Sequence, residues 1–147
     1  ALGKDEVGYA IRERLLPLCR IATPNLPEAR ILAELPDGSA DACAEKLLAH
    51  CEHLLITGGH GDEAEVHNRL YSRDGSRHTF TCARLPGSYH GSGCTLASTL
   101  AGRLALGEEL VSAVRSALDY TWRTLRDAEQ PGHGQYVPRR LPLDFAQ

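Results

Sequence analysis

The run His90-Gly91-Ser92-Gly93-Cys94-Thr95 is the part of the sequence whose residue types and spacing could do chemistry. Glycines at the start of a helix leave several backbone N–H groups exposed beside the positive end of the helix dipole, and such groups bind phosphate or stabilise a developing oxyanion. A cysteine at the same place has its thiolate form favoured by the same potential. The pattern therefore predicts anion chemistry at this turn.

Two other interpretations of the same run stay open. A turn of small residues can simply let a helix pack close to a strand, with Cys94 as an ordinary buried small hydrophobe. Alternatively, Cys94 is the nucleophile of a cysteine–histidine hydrolase, although His90 is too close in sequence to be assigned as its partner. The sequence is neither a P-loop nor a dinucleotide fingerprint, since no Gly-Lys-Ser/Thr follows and the third glycine is missing.

The composition is typical of one soluble globular domain, with 147 residues of which 42% are apolar and 24% charged. The net charge of −3, with 16 scattered lysines and arginines, offers no basic face for nucleic acid. No apolar run approaches the roughly 20 residues that span a bilayer, and the N-terminus lacks the apolar core of a signal peptide. The five cysteines are widely spaced and form no C-x-x-C pair, so they indicate neither disulfides nor zinc. We expect a cytoplasmic protein that binds neither nucleic acid nor membrane.

Hydrophobic periodicity predicts alternating helices and strands, the order typical of an α/β fold. Helices are predicted over residues 5–19, 25–35, 41–51, 94–106 and 109–129, with Asp41 as the N-cap of the third. Strands are predicted over residues 21–23 and 53–57, followed by a hairpin of residues 68–72 and 76–82 around Asp74-Gly75. The tail from residue 135 to 147 is predicted to lie extended over the surface.

Polar segments directly follow the first two predicted strands. Gly58, Gly59 and His60 come after the apolar strand, where open α/β sheets place ligand loops. Asn25 and Glu28 follow the first strand, and their N-x-x-E spacing is that of a capping box. A helix N-terminus beside a strand end also suits phosphate and Mg²⁺. Capping and ligand binding therefore both stay open for these two residues.

With these elements in place, the chain resembles the C-terminal half of the hydroxymethylpyrimidine/phosphomethylpyrimidine kinases, which belong to the ribokinase-like superfamily. Four segments carry the resemblance in order: residues 23–29, the Gly58-Gly59-His60 run, residues 68–71 and residues 90–96. The resemblance implies an α/β ribokinase-like three-layer sandwich. Residues 1–147 would form its C-terminal, nucleotide-binding and catalytic-loop half, with part of a mostly parallel sheet and an antiparallel hairpin.

The resemblance also implies a reaction, which is ATP-dependent phosphorylation of hydroxymethylpyrimidine, of its monophosphate, or of both, in thiamin biosynthesis. Gly91, Ser92 and Gly93 would form an anion hole for the transferred phosphate, and Cys94 would be the base. Glu28 would bind Mg²⁺. The residues implied on the nucleotide side are Asn25, Thr57, Gly58, Gly59 and His60. The partners are then ATP and a small pyrimidine, and we expect a homodimer.

The chain departs from the resembling kinases at Thr57, where they commonly have a lysine before Gly-Gly-His. A hydroxyl can bond a phosphate but cannot neutralise it. Threonine occurs here in pyridoxal kinases, so a pyridoxal-type kinase is an alternative. The family's N-terminal half, which supplies the pyrimidine pocket, has no counterpart in these residues. A second alternative is therefore a non-catalytic half-domain that binds nucleotide or pyrimidine.

Overall fold

The structure, a computed structural model, describes residues 5–59 and 63–141. Its elements fall into two units, Ala1–Arg84 and Leu85–Gln147. The first unit contains α1 (Asp5–Ala10), β1 (Ile21–Ala22), α2 (Leu26–Ala33), α3 (Ala40–Leu47), β2 (His53–Ile56), β3 (Glu65–Ser72) and β4 (Arg77–Ala83). The second contains α4 (Ser92–Ala105) and α5 (Leu110–Arg126). Among the described residues, none of the helices is long and apolar enough to span a membrane.

The helix predicted over residues 5–19 is helical as far as Leu18, but it changes its winding twice. A π-helical segment, Ile11–Leu15, follows α1, and a 3₁₀ segment, Leu16–Leu18, ends the run. Pro17 lies in the first turn of that last segment, where its missing N–H costs no internal hydrogen bond. Arg12, buried on the π segment, donates from Nη1 to the carbonyl of Leu32 at 3.0 Å, and so fixes this run against α2.

The first unit is built on a four-stranded sheet in the order β1-β2-β3-β4. β1 pairs with β2 in parallel, with Ile21 opposite His53, whereas β2–β3 and β3–β4 are antiparallel. The described part of the sheet is therefore mixed, and it contains the predicted hairpin. The hairpin turns at Asp74-Gly75, where Gly75 has φ +88° and the Asp74 side chain accepts from the Ser76 N–H at 2.9 Å.

The core of the first unit lies between the sheet and helices α2 and α3. Leu54 of β2 and Leu47 of α3 are fully buried in it, and Ala29 and Ala33 of α2 are buried beside small neighbours that allow close packing. β2 reads as a nearly continuous apolar run because it is an interior strand, with β1 on one side and β3 on the other.

The N-cap predicted for α3 was wrong. The helix starts at Ala40, and its cap is Ser39, whose hydroxyl accepts from the Ala42 N–H at 3.1 Å. Asp41 lies in the first turn and pairs with Arg77 of β4 at 3.3 Å. Ser39 and Asp41 are both good capping residues, and they are close enough in sequence for pattern alone to choose the wrong one.

In the second unit, α5 buries one face along its length, with Ala113, Val114, Ala117 and Thr121 at helical spacing. The helix ends earlier than predicted, at Arg126 rather than near residue 129. Its N-cap is Glu109, whose carboxylate accepts from the N–H groups of Val111 and Ser112. Ala128 and Glu129 follow the helix, and Glu129 forms an antiparallel bridge with Val137 of the tail.

Candidate active site

The first group of predicted site residues, which we call the strand-end cluster, consists of Asn25, Glu28, Thr57, Gly58 and Gly59. Asn25 and Thr57 follow β1 and β2 and form a parallel bridge with each other. The Thr57 N–H donates to the carbonyl of Pro24 at 2.9 Å. Each segment was predicted to follow its own strand; the structure places the two side by side at the carboxyl ends of β1 and β2.

Asn25 and Glu28 form the capping box that their spacing predicts. The Asn25 side-chain oxygen accepts from the Glu28 N–H at 2.8 Å, and Glu28 Oε2 accepts from the Asn25 N–H at 3.0 Å. Each side chain thus has a structural role at the start of α2. A carboxylate has about four acceptor positions, and this capping bond uses one of them, so Glu28 keeps the capacity to bind a cation.

Gly58 is explained by packing. Its N–H donates to the side-chain oxygen of buried Asn68 at 3.2 Å, and a Cβ at residue 58 would lie 2.6 Å from the carbonyl oxygen of His67. Only glycine allows β3 to approach so closely. Asn68 belongs to a segment that carried the family resemblance, but its bond to the Gly58 loop was not foreseen.

Gly59 is explained by its backbone conformation, since its φ is +112° and no described atom lies within 4 Å of where its Cβ would be. Its carbonyl accepts from Arg84 Nη1 at 2.9 Å. His60, the remaining predicted residue of this loop, lies outside the described residues.

The second group, which we call the glycine turn, consists of Gly91, Ser92, Gly93 and Cys94. Gly91 is the N-cap of α4 with φ +90°, and the helix begins at Ser92, two residues before the predicted start. Gly91 provides no side-chain cap, whereas α2, α3 and α5 each have one. The first N–H groups of α4 are therefore left without the partner that a capping side chain would provide.

The glycine turn is open on its outer side. Apart from its chain neighbours and the backbone of α4, no described atom lies within 4 Å of a Cβ built on Gly93, and the Cys94 side chain is exposed. The interpretation of Cys94 as a buried small hydrophobe is therefore wrong. A turn with free N–H groups, open space and an exposed thiol can bind a phosphate and take part in proton transfer.

Thr95 anchors the glycine turn from inside. It is buried, its hydroxyl donates to the Gly91 carbonyl at 2.8 Å, and its N–H donates to the same carbonyl at 3.0 Å. Two donors on one carbonyl hold the peptide that joins Gly91 to Ser92, which is the first peptide of the turn.

The tail approaches the glycine turn from the other side, a placement that the sequence did not predict. The Tyr136 N–H donates to the Ser88 carbonyl at 2.8 Å, and the His90 N–H donates to the Tyr136 carbonyl at 2.9 Å. The ring centroids of Tyr89 and Tyr136 lie 5.8 Å apart. The residues just before the turn are therefore held in a short parallel bridge with the tail.

Arg140, in the tail, lies beside the glycine turn, and sequence reasoning missed it. Its Nε donates to the Thr95 hydroxyl at 3.0 Å. Its Nη2 would lie 2.9 Å from a Cβ built on Gly91. Thr95 and Arg140 are 45 residues apart in the sequence. Arg139 and Arg140 also lie in a tail rich in turn-forming residues, a pattern typical of a solvated surface.

A cleft of about 580 Å³ lies at the opposite end of β2 from the strand-end cluster, beside His50, Cys51 and His53. None of the predicted site residues lines it. Among the described residues, no three histidine, cysteine, aspartate or glutamate side chains are grouped so that they could hold a metal ion.

The chain is similar in sequence and in structure to known kinases. A hydroxymethylpyrimidine/phosphomethylpyrimidine kinase of Escherichia coli (strain K12) is 33% identical over 132 residues, covering 84% of this chain and 49% of that protein. One of Streptomyces coelicolor (strain ATCC BAA-471 / A3(2) / M145) is 40% identical over 119 residues, covering 76% and 42%. The structure of the pyridoxal kinase from Staphylococcus aureus in complex with ADP matches with a TM-score of 0.87 at 25% identity, covering 93% and 52%.

The structural match confirms the predicted ribokinase-like α/β fold class. The chain spans about half the length of the curated relatives that it matches. The family model described as phosphomethylpyrimidine kinase covers residues 1–139, which include both the strand-end cluster and the glycine turn. The chain belongs to the phosphomethylpyrimidine kinase family.

Proposed function

We propose that this protein is an ATP-dependent kinase of thiamin biosynthesis that phosphorylates hydroxymethylpyrimidine, its monophosphate, or both. In this proposal the chain forms the C-terminal, nucleotide-binding and catalytic-loop half of the kinase domain. Membership of the family and the relatives' names support it. ATP as phosphate donor is supported by the structurally similar kinase in complex with ADP.

The observation that carries the proposal is the uncapped start of α4. In phosphoryl transfer the protein mainly positions the phosphate and stabilises its charge. The N–H groups of Ser92, Gly93 and Cys94 would hold the transferred γ-phosphate, and the open space at Gly93 would admit it. Gly91 would form part of this anion hole without placing a side chain in it.

Cys94 would act as the base. As the substrate hydroxyl oxygen bonds to the γ-phosphorus, the bond from that phosphorus to the β–γ bridging oxygen breaks and ADP leaves with the electron pair. The proton of the hydroxyl passes to the Cys94 thiolate. The exposure of Cys94 in the first turn of α4 supports this role, because a base must be within reach of the substrate.

The strand-end cluster would serve the nucleotide. Mg²⁺ would neutralise charge on the phosphates of ATP. Glu28 would contribute one carboxylate to that ion while continuing to cap α2, and Asn25, Thr57 and Gly59 would supply polar atoms and open backbone toward the nucleotide, together with His60 and Gly58. The family resemblance supports these roles. A homodimer in the cytoplasm completes the proposal.

The test is phosphate transfer from ATP in the presence of Mg²⁺, measured on the full-length protein with hydroxymethylpyrimidine and its monophosphate. We expect Cys94→Ala to lower kcat by about 100-fold or more, in the range that general base catalysis contributes. The matched control is Cys19→Ser, since Cys19 lies in the other unit and its thiol donates to the Leu15 carbonyl, a bond that a serine hydroxyl can also make. Unchanged turnover in Cys94→Ala would remove Cys94 from the mechanism.

A pyridoxal-type kinase is the second candidate, and Thr57 is the observation that favours it. It places a hydroxyl where the resembling pyrimidine kinases commonly have a lysine, and the fold matches a pyridoxal kinase. The ratio of kcat/KM for pyridoxal to that for hydroxymethylpyrimidine decides between the two. Binding of ATP or pyrimidine without any transfer would instead support the non-catalytic alternative.

A further inference from the structure

We propose that Arg140 is a positioning residue for the glycine turn, acting through the hydroxyl of Thr95. The inference rests on the proposed function for its catalytic consequence. The geometric part of the proposal does not depend on that function, because it concerns only the orientation of the peptide between Gly91 and Ser92.

The chain of contacts starts at the guanidinium of Arg140. Its Nε donates to the Thr95 hydroxyl oxygen at 3.0 Å, and that hydroxyl donates to the Gly91 carbonyl at 2.8 Å. Accepting a hydrogen bond from a cation polarises the hydroxyl, which makes it a stronger donor. Thr95 is 3% exposed, so its hydroxyl has little access to competing water. Arg140 therefore orients and strengthens the hydroxyl's bond to the Gly91 carbonyl, which also accepts from the Thr95 N–H at 3.0 Å.

The orientation of the Gly91 carbonyl determines that of the next N–H. A trans peptide is planar, and its C=O and N–H point in opposite directions. Holding the Gly91 carbonyl toward Thr95 therefore turns the Ser92 N–H away from the helix, to the open side of the turn. That N–H is one of the donors that would hold the phosphate, and a small error in its direction weakens it as a donor.

Gly91 completes the arrangement. A Cβ at this residue would lie 2.9 Å from Arg140 Nη2, and the φ of +90° is one that other residues rarely adopt. A glycine at residue 91 thus permits both the turn and the close approach of the guanidinium.

The tail holds Arg140 in place. The Arg139 N–H donates to the Thr124 carbonyl at 2.9 Å, and the Tyr120 hydroxyl of α5 donates to the Arg140 carbonyl at 2.5 Å. Arg139 itself pairs with Glu129 at 2.9 Å. Two consecutive arginines therefore face different partners, which makes Arg139 a matched control for Arg140.

The first test compares kinase activity of the full-length wild type with Arg140→Met, Thr95→Val and the double variant. We expect each single change to lower kcat roughly 10- to 100-fold, the scale of a misplaced catalytic geometry, with little change in KM for the pyrimidine. The double variant should be no slower than the slower single variant, because both changes break one chain of contacts. Thr95→Ser, which keeps the hydroxyl, should retain most activity, and Arg139→Met should match wild type.

The proposal is overturned if Arg140→Met behaves as Arg139→Met does, or if the effects of Arg140→Met and Thr95→Val multiply in the double variant. Arg140→Lys separates charge from geometry: it keeps the cation and loses the Nε–H, so most of the loss in kcat should remain. Full recovery in this variant would assign Arg140 a purely electrostatic role and reject positioning.

A second readout keeps the test valid if the wild type transfers no phosphate to any pyrimidine, which would be a failure of the proposed function alone. The amide resonance of Ser92 in ¹⁵N-labelled protein reports the environment of that N–H directly. We expect Arg140→Met and Thr95→Val to shift it in the same direction, and Arg139→Met to leave it unchanged. A Ser92 resonance that none of the three variants moves would contradict the inference.

Discussion

The backbone N–H of Gly58 donates to the side-chain oxygen of Asn68 at 3.2 Å, which ties the loop after β2 to the middle of β3. Asn68 is 6% exposed, so the bond is made where water cannot easily replace it. The loop that the family resemblance assigns to the nucleotide is therefore positioned by a strand of the hairpin.

Replacing Asn68 with alanine should lower the free energy of unfolding by about 1–3 kcal/mol, because it leaves the Gly58 N–H without its acceptor. Urea or guanidinium unfolding, followed by circular dichroism, measures the change. The control is Thr79→Ala on β4, whose side chain is exposed and should matter by less than about 0.5 kcal/mol. Equal stability of the two variants would show that the Asn68 bond contributes nothing.

Alanine at two glycines should have opposite effects on stability. At residue 58 the added Cβ would meet the His67 carbonyl oxygen at 2.6 Å, so β2 and β3 must shift, and we expect a loss of about 1–3 kcal/mol. At residue 93, within α4, the Cβ meets no described atom within 4 Å, so stability should stay equal or rise by up to about 1 kcal/mol.

The Gly93→Ala variant also tests the proposed anion hole. Its Cβ would occupy space that the phosphate needs, so kcat/KM for ATP should fall although the protein is at least as stable as wild type. Thermal unfolding and steady-state kinetics on the same preparation measure both quantities. A stable variant with wild-type kinetics would place the phosphate elsewhere.

Glu28→Gln separates capping from cation binding. The amide oxygen of glutamine can still accept from the Asn25 N–H, so the capping box survives, and loss of the charge near the helix start should cost no more than about 1 kcal/mol. A role in binding Mg²⁺ predicts that the Mg²⁺ concentration for half-maximal activity rises several-fold. Glu28→Ala, which loses both functions, should also be less stable, and an unchanged Mg²⁺ response in both variants would leave Glu28 as a cap alone.

The folded state should lose stability as the pH rises above 9. Burial raises the pKa of Cys51 from 9.0 to about 11, so the unfolded chain releases this proton first. The stabilising contribution is complete below pH 9 and is lost as pH rises toward 11. Burial likewise raises the pKa of Tyr71 from 10.0 to about 12, which extends the loss toward pH 12. Unfolding free energies measured from pH 7 to 11 should show this decline, and Cys51→Ala should reduce its slope.

Local patterns were sufficient where a structure depends on neighbouring residues. The Asn25 and Glu28 capping box follows from one three-residue spacing, and the hairpin follows from Asp74-Gly75 between alternating strands. The run of small residues predicted the glycine turn at the start of a helix, although the helix begins at Ser92 rather than Cys94. In each case the deciding contacts lie within a few residues.

Patterns failed where the deciding contact is distant in sequence. Nothing near Thr95 indicates that its hydroxyl will meet Arg140, because most of α4 and all of α5 lie between the two residues in sequence. The same holds for Gly58, whose small size is required by His67 on the next strand. The sequence pattern assigns Gly58 to a ligand loop. In the structure, a glycine is required at this residue because the loop after β2 packs closely against β3.

The uncapped start of α4 has a thermodynamic consequence. A capping side chain stabilises a helix by only about a few tenths of a kcal/mol more than a glycine N-cap does, and α4 lacks that contribution at Gly91. An anion bound at the turn would take the place of the missing side chain, so the ligand acts as the cap. Because binding and folding are linked, a phosphate-bearing ligand at the turn should stabilise the folded state by an amount that rises with the logarithm of the ligand concentration once this exceeds the Kd.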